Sequence, residues 1–273
     1  MRVVVLEYHD VVEPHAFEAS GFSGASANSY KVTIDAFRAH LAAVAAAGCP
    51  VLNDVRGLPN EAPRAVPVLF SFDDGGSSSL RSAELLEARG WRGHYFIATS
   101  CIGTPGFLTA AELRALHVRG HVVGSHSHSH PLQMGRMTPA IVHDEWARSV
   151  AILEDVLGAP ADVASVPGGY YRPFLAEAAS ACGVRWLLSS EPVRRVHRVA
   201  DAYVLGRYTI RRADRAAHVR SLTASPSLAR ALQWTMWNAK KVAKRVGGDA
   251  YLRLRAAIFR ETSYPAGDRR PRG

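Results

Sequence analysis

Along most of this chain, short continuous apolar runs alternate with amphipathic stretches. VVVLEYH is followed by FRAHLAAVAAAG, VPVLFSFDD by LRSAELLEARG, GHYFIATS by AAELRALHVRG, and HVVGSHS by the long IVHDEWARSVAILEDVLG. ADVASVPGG, PFLAEAASACG, VRWLLSSE and AYVLGRYTI complete the series. The apolar runs read as strands buried on both faces, because their hydrophobic residues are consecutive rather than alternating. The amphipathic stretches read as helices, several of them closed by glycine. Strand and helix in turn predict an α/β fold: a parallel sheet of about seven strands wrapped by helices, as an open doubly wound sheet or a barrel. No GxGxxG follows the first strand, which weighs against a dinucleotide fold. In barrels the chemistry collects at the carboxyl ends of the strands. Polar residues stand at those ends here: His9 and Asp10, Asp73 and Asp74, His126 to His130, and the PGG of 167–169.

From residue 213 the pattern changes. SLARALQWTMWNAKKVAKRVGG reads as an amphipathic helix stopped by two glycines, YLRLRAAIFRE as another, and YPAGDRRPRG as a loose basic tail. The expected organisation is a barrel over 1–212 and a basic helical extension over 213–273. Charge divides the chain differently but to the same effect. Residues 1–184 carry 13 Lys or Arg against 18 Asp or Glu, and residues 185–273 carry 20 against 6, so the net +9 belongs to the C-terminal third. Trp234, Trp237, Lys240, Lys241, Lys244 and Arg245 could therefore lie on an anionic bilayer, or the helix could pack its Trp and Leu side on the barrel. No nucleic-acid motif accompanies the basic residues.

An apolar content of 48% fits a folded globular chain, and no apolar stretch reaches the ~20 residues that span a bilayer. MRVVVLEYHD reads as a first strand rather than a secretion signal, since it carries one Arg and no small-residue cleavage site. The expectation is a cytoplasmic protein, with peripheral attachment at the inner membrane face as an extension of it. Cys49, Cys101 and Cys182 form no CxxC pair and read as small core residues, not as a disulfide framework or thiolate zinc site.

The candidate chemistry lies in two stretches. In VLFSFDDGGSSSL an apolar strand ends on two carboxylates and a flexible turn. Adjacent strand residues point to opposite faces, so Asp73 and Asp74 reach one site only where the strand is turning, which suits one ligand and one base. In GHVVGSHSHSHP, His126, His128 and His130 follow a buried strand, and Pro131 disfavours a helix before it. Two neutral imidazoles and a carboxylate hold a zinc-like ion with a position open for water, whose proton a neighbouring carboxylate can take.

SFDDG and HSHSHP resemble the first two motifs of the polysaccharide deacetylases, the NodB homology family or carbohydrate esterase family four. YHDV, YKVTIDAFRAHL, GHYFIATS and VPGGYY stand in the order that family shows, over roughly residues 3 to 210. The resemblance implies a distorted (β/α) barrel and metal-dependent removal of acetyl groups from N-acetylated sugars of a polysaccharide, oligosaccharide or lipid-linked glycan. It implies Asp73 as general base, Asp74, His126 and His130 as ligands of a divalent ion (Zn2+, or Co2+, Ni2+ or Mn2+), and Ser127 as a support of the histidine loop, with His128 a passenger. VPGGYY takes the place of the third motif, giving Gly168 as oxyanion donor and Pro167, Gly169 and Tyr170 as substrate-binding residues.

Three positions depart from the family pattern. Gly168 stands where an aromatic usually follows the Pro. Ser165 stands where an Arg usually supports the base, so that support is expected to be missing. Arg207 stands where the acid histidine is expected, and a guanidinium keeps its proton; it is assigned to substrate binding. The acid is then either His9, on the first strand's end, or Asp73 returning the proton it took. Alternatives are an amidase acting on a small non-peptide substrate and a silent glycan-binding protein. An Fe(II) oxygenase fits the strand and helix alternation poorly, and a glycosidase with adjacent carboxylates leaves the histidines unexplained.

Overall fold

The computed structural model of the chain describes residues 1–60 and 66–239. Its strands are β1 (Val4–Tyr8), β2 (Val11–Val12), β3 (Val32–Thr33), β4 (Val68–Phe72), β5 (Gly93–Ile97), β6 (Val122–Ser125), β7 (Val163–Ser165), β8 (Trp186–Leu188), β9 (His197–Val199), β10 (Ala202–Leu205) and β11 (Tyr208–Thr209). Its helices are α1 (Ala25–Asn28), α2 (Ile34–Ala46), α3 (Ser79–Glu87), α4 (Ala110–Val118), α5 (Pro139–Leu157), α6 (Pro173–Ala181) and α7 (Ala216–Thr223). Residues 228–239 are also helical.

The nine-stranded main sheet runs β11-β1-β4-β5-β6-β7-β8-β10-β9, parallel throughout except for the β9–β10 hairpin. The seven apolar runs are all present, and the last of them, AYVLGRYTI, is two strands. Its first half, β10, pairs with β8, and its second half, β11, pairs with β1. The run breaks at Gly206, where a β-carbon would fall 2.2 Å from the Glu191 carbonyl oxygen. The curled sheet thus brings its two flanks together on one bent stretch of chain. The residue after the bend is Arg207.

Alternation along each strand divides the side chains between two layers. Leu6, Tyr8, Phe70, Phe72, Tyr95 and Ile97 pack against Phe37 and Leu41 of α2 and Trp146 and Leu153 of α5. The other face carries Val3, Val5, Leu69, Phe96, Val163, Leu188 and Leu205, joined by loop residues and by no residue of α1 to α7. This second, inner layer changes character toward the strands' carboxyl ends. Val5 is followed two residues on by Glu7, Leu69 by Ser71 and then Asp73, Val163 by Ser165, Leu188 by Ser190, and Leu205 by Arg207, all buried. Period-2 geometry therefore delivers five strands' polar residues to one end of the inner face. The three cysteines are free and half-buried; Cys49 and Cys182 pack against the edge of the core, and Cys101 does not.

Candidate active site

The chain leaves β4 at Phe72 and turns sharply. Asp73 continues the inner alternation, while Asp74 takes a left-handed backbone (φ 76°) that swings its carboxylate to the same end. Ser127 (φ 65°) and His130 (φ 54°) do the same for the histidine loop, leaving Ala200 as the only other non-glycine of positive φ among the described residues. L-residues avoid this region, and such strain gathers where a site over-determines the backbone. The result is convergence: Asp74 Oδ1 stands 3.3 Å from His130 Nε2 and 3.5 Å from His126 Nε2. Asp74 Oδ1 is buried without a hydrogen-bond partner. The three residues' ligand atoms all lie within 4.8 Å of one another.

These groups fit a divalent cation. Burial pushes His126 down to about 4, outweighing the attraction of Asp73, so its ring is neutral near pH 7, the form that ligates a metal. Its Nδ1 faces the Ser165 carbonyl at 3.0 Å and the Ser165 hydroxyl at 2.7 Å, which leaves Nε2 for the ion. Asp74 is held down at about 2: burial raises it, but the close His130 imidazole, with His9 and His126 behind it, outweighs that. Phe22 packs on the His130 ring at 4.8 Å. Ser127 Oγ accepts from the His130 N–H (3.2 Å), as a support of the loop should. His128 points elsewhere, to Thr99 Oγ1 at 3.0 Å.

Asp73 has an arginine after all. Arg207 Nη1 donates to Asp73 Oδ1 (2.7 Å) and Nη2 to Oδ2 (2.8 Å), a bidentate pair of two buried groups. The support expected to be missing at Ser165 comes instead from the last inner strand, and Ser165 itself donates to Asp73 Oδ1 at 3.1 Å. Burial works to raise the Asp73 carboxyl, but the Arg207 charge, then His126 and the Arg207 hydrogen bonds, hold it well below the usual carboxylate range. The assignment of Arg207 to substrate binding is corrected: its side chain is 0% exposed, and both Nη atoms are spent on carboxylates. Nη2 also meets Glu7 Oε1 at 3.1 Å. Glu7 is fixed in turn by Ser190 (3.1 Å) and Thr209 (2.6 Å).

His9 reaches this end too. One of its ring nitrogens, a Glu7 oxygen and an Asp73 oxygen lie within 4.8 Å of one another, and His9 Nδ1 is buried without a partner. Pro167–Gly169 forms a single 3-10 turn in which Gly168 is left-handed (φ 66°) and exposed, whereas Pro167 is buried. The close approach that the glycine pair permits is made by the chain's own parts. A β-carbon at Gly168 would fall 2.2 Å from the Leu132 carbonyl oxygen, and one at Gly169 would fall 3.1 Å from Trp237 Cη2. Tyr170 follows, half-buried, its carbonyl against Gly135.

A family model described as Polysaccharide deacetylase matches residues 60–187, the stretch that holds both aspartates, the histidine loop and the glycine turn. That segment is a polysaccharide deacetylase domain. The fold agrees with solved structures of such proteins. A polysaccharide deacetylase from Bacillus cereus superposes with a TM-score of 0.68 at 17% identity, covering 82% of this chain and 69% of that one. The deacetylase PplD of Streptococcus pyogenes, solved with acetate, gives 0.68 at 18%, covering 82% and 99%. IcaB from Ammonifex degensii gives 0.66 at 20%, covering 81% and 97%. A gellan lyase of a Bacillus species is 32% identical over 92 residues, and the chain spans 4% of that protein's length.

Several residues that build the deacetylase domain's site escape a reading of motifs. Glu145 of α5 accepts from the His128 and Ser129 N–H groups (3.0 and 2.8 Å) and from Ser129 Oγ (2.6 Å), tying down the histidine loop. On sequence it is one more acidic residue of a long helix. On sequence Glu7 is one acidic residue within the apolar run VVVLEYH. Its signal was position: it stands two residues before His9 on a strand whose alternation points both inward. Asp10 accepts from Ser20 (2.5 Å) and Ser78 (2.7 Å) and so fastens the turn that follows Asp74. The alternative in which SLARALQWTMWNAKKVAKRVGG, residues 227–248, packs its Trp and Leu side on the barrel is met in part among the described residues. Trp237 meets Gly169, while Leu228 and Leu232 are exposed. Lys240, Lys241, Lys244, Arg245 and the second helix expected near 251–261 lie outside the described residues.

Proposed function

We propose that this protein hydrolyses the N-acetyl groups of amino sugars in a glycan, using a divalent cation held by Asp74, His126 and His130. The observation that carries the reading is the partnerless Asp74 oxygen facing two imidazole nitrogens, with a second, ionised carboxylate one residue away. Zinc suits this donor set, with Co2+, Ni2+ or Mn2+ as substitutes, and when bound supplies Lewis-acid polarisation of the amide and acidification of water. Asp73, oriented by Arg207 and Ser165, accepts the proton of the attacking water. The Gly168 N–H, on the exposed apex of its turn, donates to the oxygen that gains charge as the carbonyl becomes tetrahedral. His9 hands a proton to the nitrogen as the C–N bond breaks, leaving acetate and a free amine. The exposed Gly168 and half-buried Tyr170 line the place where the sugar is aligned, whereas Pro167, buried, and Gly169, which lies against Trp237, do not serve as its wall.

The experiment is acetate release from a panel of N-acetylated monosaccharides, oligosaccharides and lipid-linked glycans. Activity should vanish with chelator and return with zinc. Metal-replete protein that frees no acetate from any member overturns the reading.

A further inference from the structure

The helix over residues 228–239 lies beside the glycine turn of 167–169. It begins after α7 and lies back on the end of the sheet: Ala229 and Arg230 are buried, and Gln233 donates to the Thr209 carbonyl (3.1 Å) at the end of β11. Thr209 is the residue whose hydroxyl holds Glu7. One turn further on, Trp237 brings its ring to Gly169, next to Ser190, whose β-carbon stands 3.6 Å from the same position on Gly169. Ser190 touches Glu7, and Glu7 shares Arg207 with the base Asp73. A tryptophan from outside the matched segment thus stands one layer of side chains from the catalytic carboxylate.

Two features of this tryptophan lack a use within the protein. Trp237 Nε1 is buried and has no hydrogen-bond partner, although indole N–H groups normally find an acceptor when water is excluded. Gly169, left-handed at φ 68°, leaves the ring of Trp237 uncovered by any side chain at that position. Trp234, three residues earlier and so on a neighbouring helical face, is 53% exposed. Indole rings offer an electron-rich face to the polarised C–H groups of a pyranose, and an N–H edge to its oxygens.

We infer that Trp237, with Trp234 beyond it, forms a binding subsite for a sugar unit next to the one being deacetylated, so that the preferred substrate is an oligomeric or polymeric glycan. The inference rests on the glycan-deacetylase reading of the site. Trp237 presents its ring to the neighbouring pyranose, and Trp234 meets the unit after that. The C-terminal helix is then a specificity element of the active site.

The full chain, labelled with 15N at its five tryptophans, tests this. Indole signals are assigned by single Trp→Phe variants and titrated with an N-acetylglucosamine pentamer, its deacetylated counterpart and the monosaccharide. The Trp237 signal should move with either pentamer and much less with the monosaccharide, while Trp91, Trp146 and Trp186 stay in place. In turnover, Trp237→Phe, which keeps the packing on Gly169, should lower the pentamer-to-monosaccharide ratio of kcat/KM by about tenfold, chiefly through KM. Trp234→Ala should show a smaller loss confined to longer oligomers. A Trp237 signal unmoved by the pentamers, or one that answers only to phosphatidylglycerol vesicles, overturns the subsite, as does an equal loss on both substrates. Wild-type protein that binds the pentamer at Trp237 but releases no acetate overturns the proposed activity and leaves the subsite standing.

Discussion

The two sides of this site are built by different means. On the side of β4 and β6, Asp73, Asp74, His126 and His130 stand within two short stretches of sequence, and local backbone strain brings them together. On the side of β1 and β11, Glu7, His9 and Arg207 come from opposite ends of the fold and meet only because the curled sheet places those strands side by side. The first side is written in motifs, and the family match covers it. The second lies wholly outside the matched residues, and there an arginine occupies the position where an acid histidine was expected. Function can therefore be fixed by a local motif while its electrostatic support moves elsewhere, provided that a neighbouring strand can present the same charge to the same carboxylate.

This contrast can be broken most forcefully at Asp73. Asp73→Asn should cut acetate release by about 10³-fold, since general-base steps contribute on the order of 10²–10⁴. Bound metal, measured by elemental analysis, should stay near the wild-type amount. Loss of the metal along with activity would mean that the two carboxylates do not divide their roles.

The distal side should answer in stability. Arg207→Met leaves Asp73 and Glu7 as buried carboxylates without a cation and should cost roughly 3–5 kcal/mol in denaturant unfolding. Adding Glu7→Gln should return part of that loss, because one of the two stranded charges is gone. Full stability in the single variant would show that Arg207 is not what balances the pair.

Acid stability sharpens the distinction between site and scaffold. His94, on β5, accepts a hydrogen bond at Nε2 from the Val55 N–H (3.0 Å). Burial, ahead of the partly compensating attraction of Asp54, pushes His94 down to about 4. The unfolded chain protonates near 6.5, so it binds more protons than the folded one between these values. Stability should be whole above about pH 6.5 and fall as the pH drops toward 4, by up to about 3 kcal/mol from this residue. His94→Gln should flatten that slope in urea melts across the window.

The smallest effect is expected at Glu145. Glu145→Gln removes the carboxylate charge that fixes the His128 and Ser129 amides and should weaken zinc binding about tenfold. A chelator competition reads this directly. Unaltered affinity would assign the order of the loop to Ser127 and the strained backbone alone.

How much of this was open to reading from the letters follows the same division. The strand runs, the turning point at Asp73–Asp74 and the histidine loop were legible because each is a short-range pattern. Arg207 was visible as a departure but not as a replacement, since nothing local says that two residues 134 apart face each other. Its position on the inner alternation, two after Leu205, was the available signal. The seventh run was read as one strand because its apolar residues continue across Gly206, whereas the Glu191 carbonyl that forces the bend comes from a distant loop. Trp237 could be placed on a helix but not on Gly169, because amphipathic spacing gives a face and not its neighbour.

The bend at Gly206 also links two properties that are usually separable. The same few residues join the sheet's flanks and deliver the guanidinium that neutralises the Asp73 carboxylate. A chain truncated or cut within 202–209 would lose architectural closure and charge balance in a single event. Protease nicking in that segment should therefore silence the enzyme and unfold it together, with no inactive but folded form along the way.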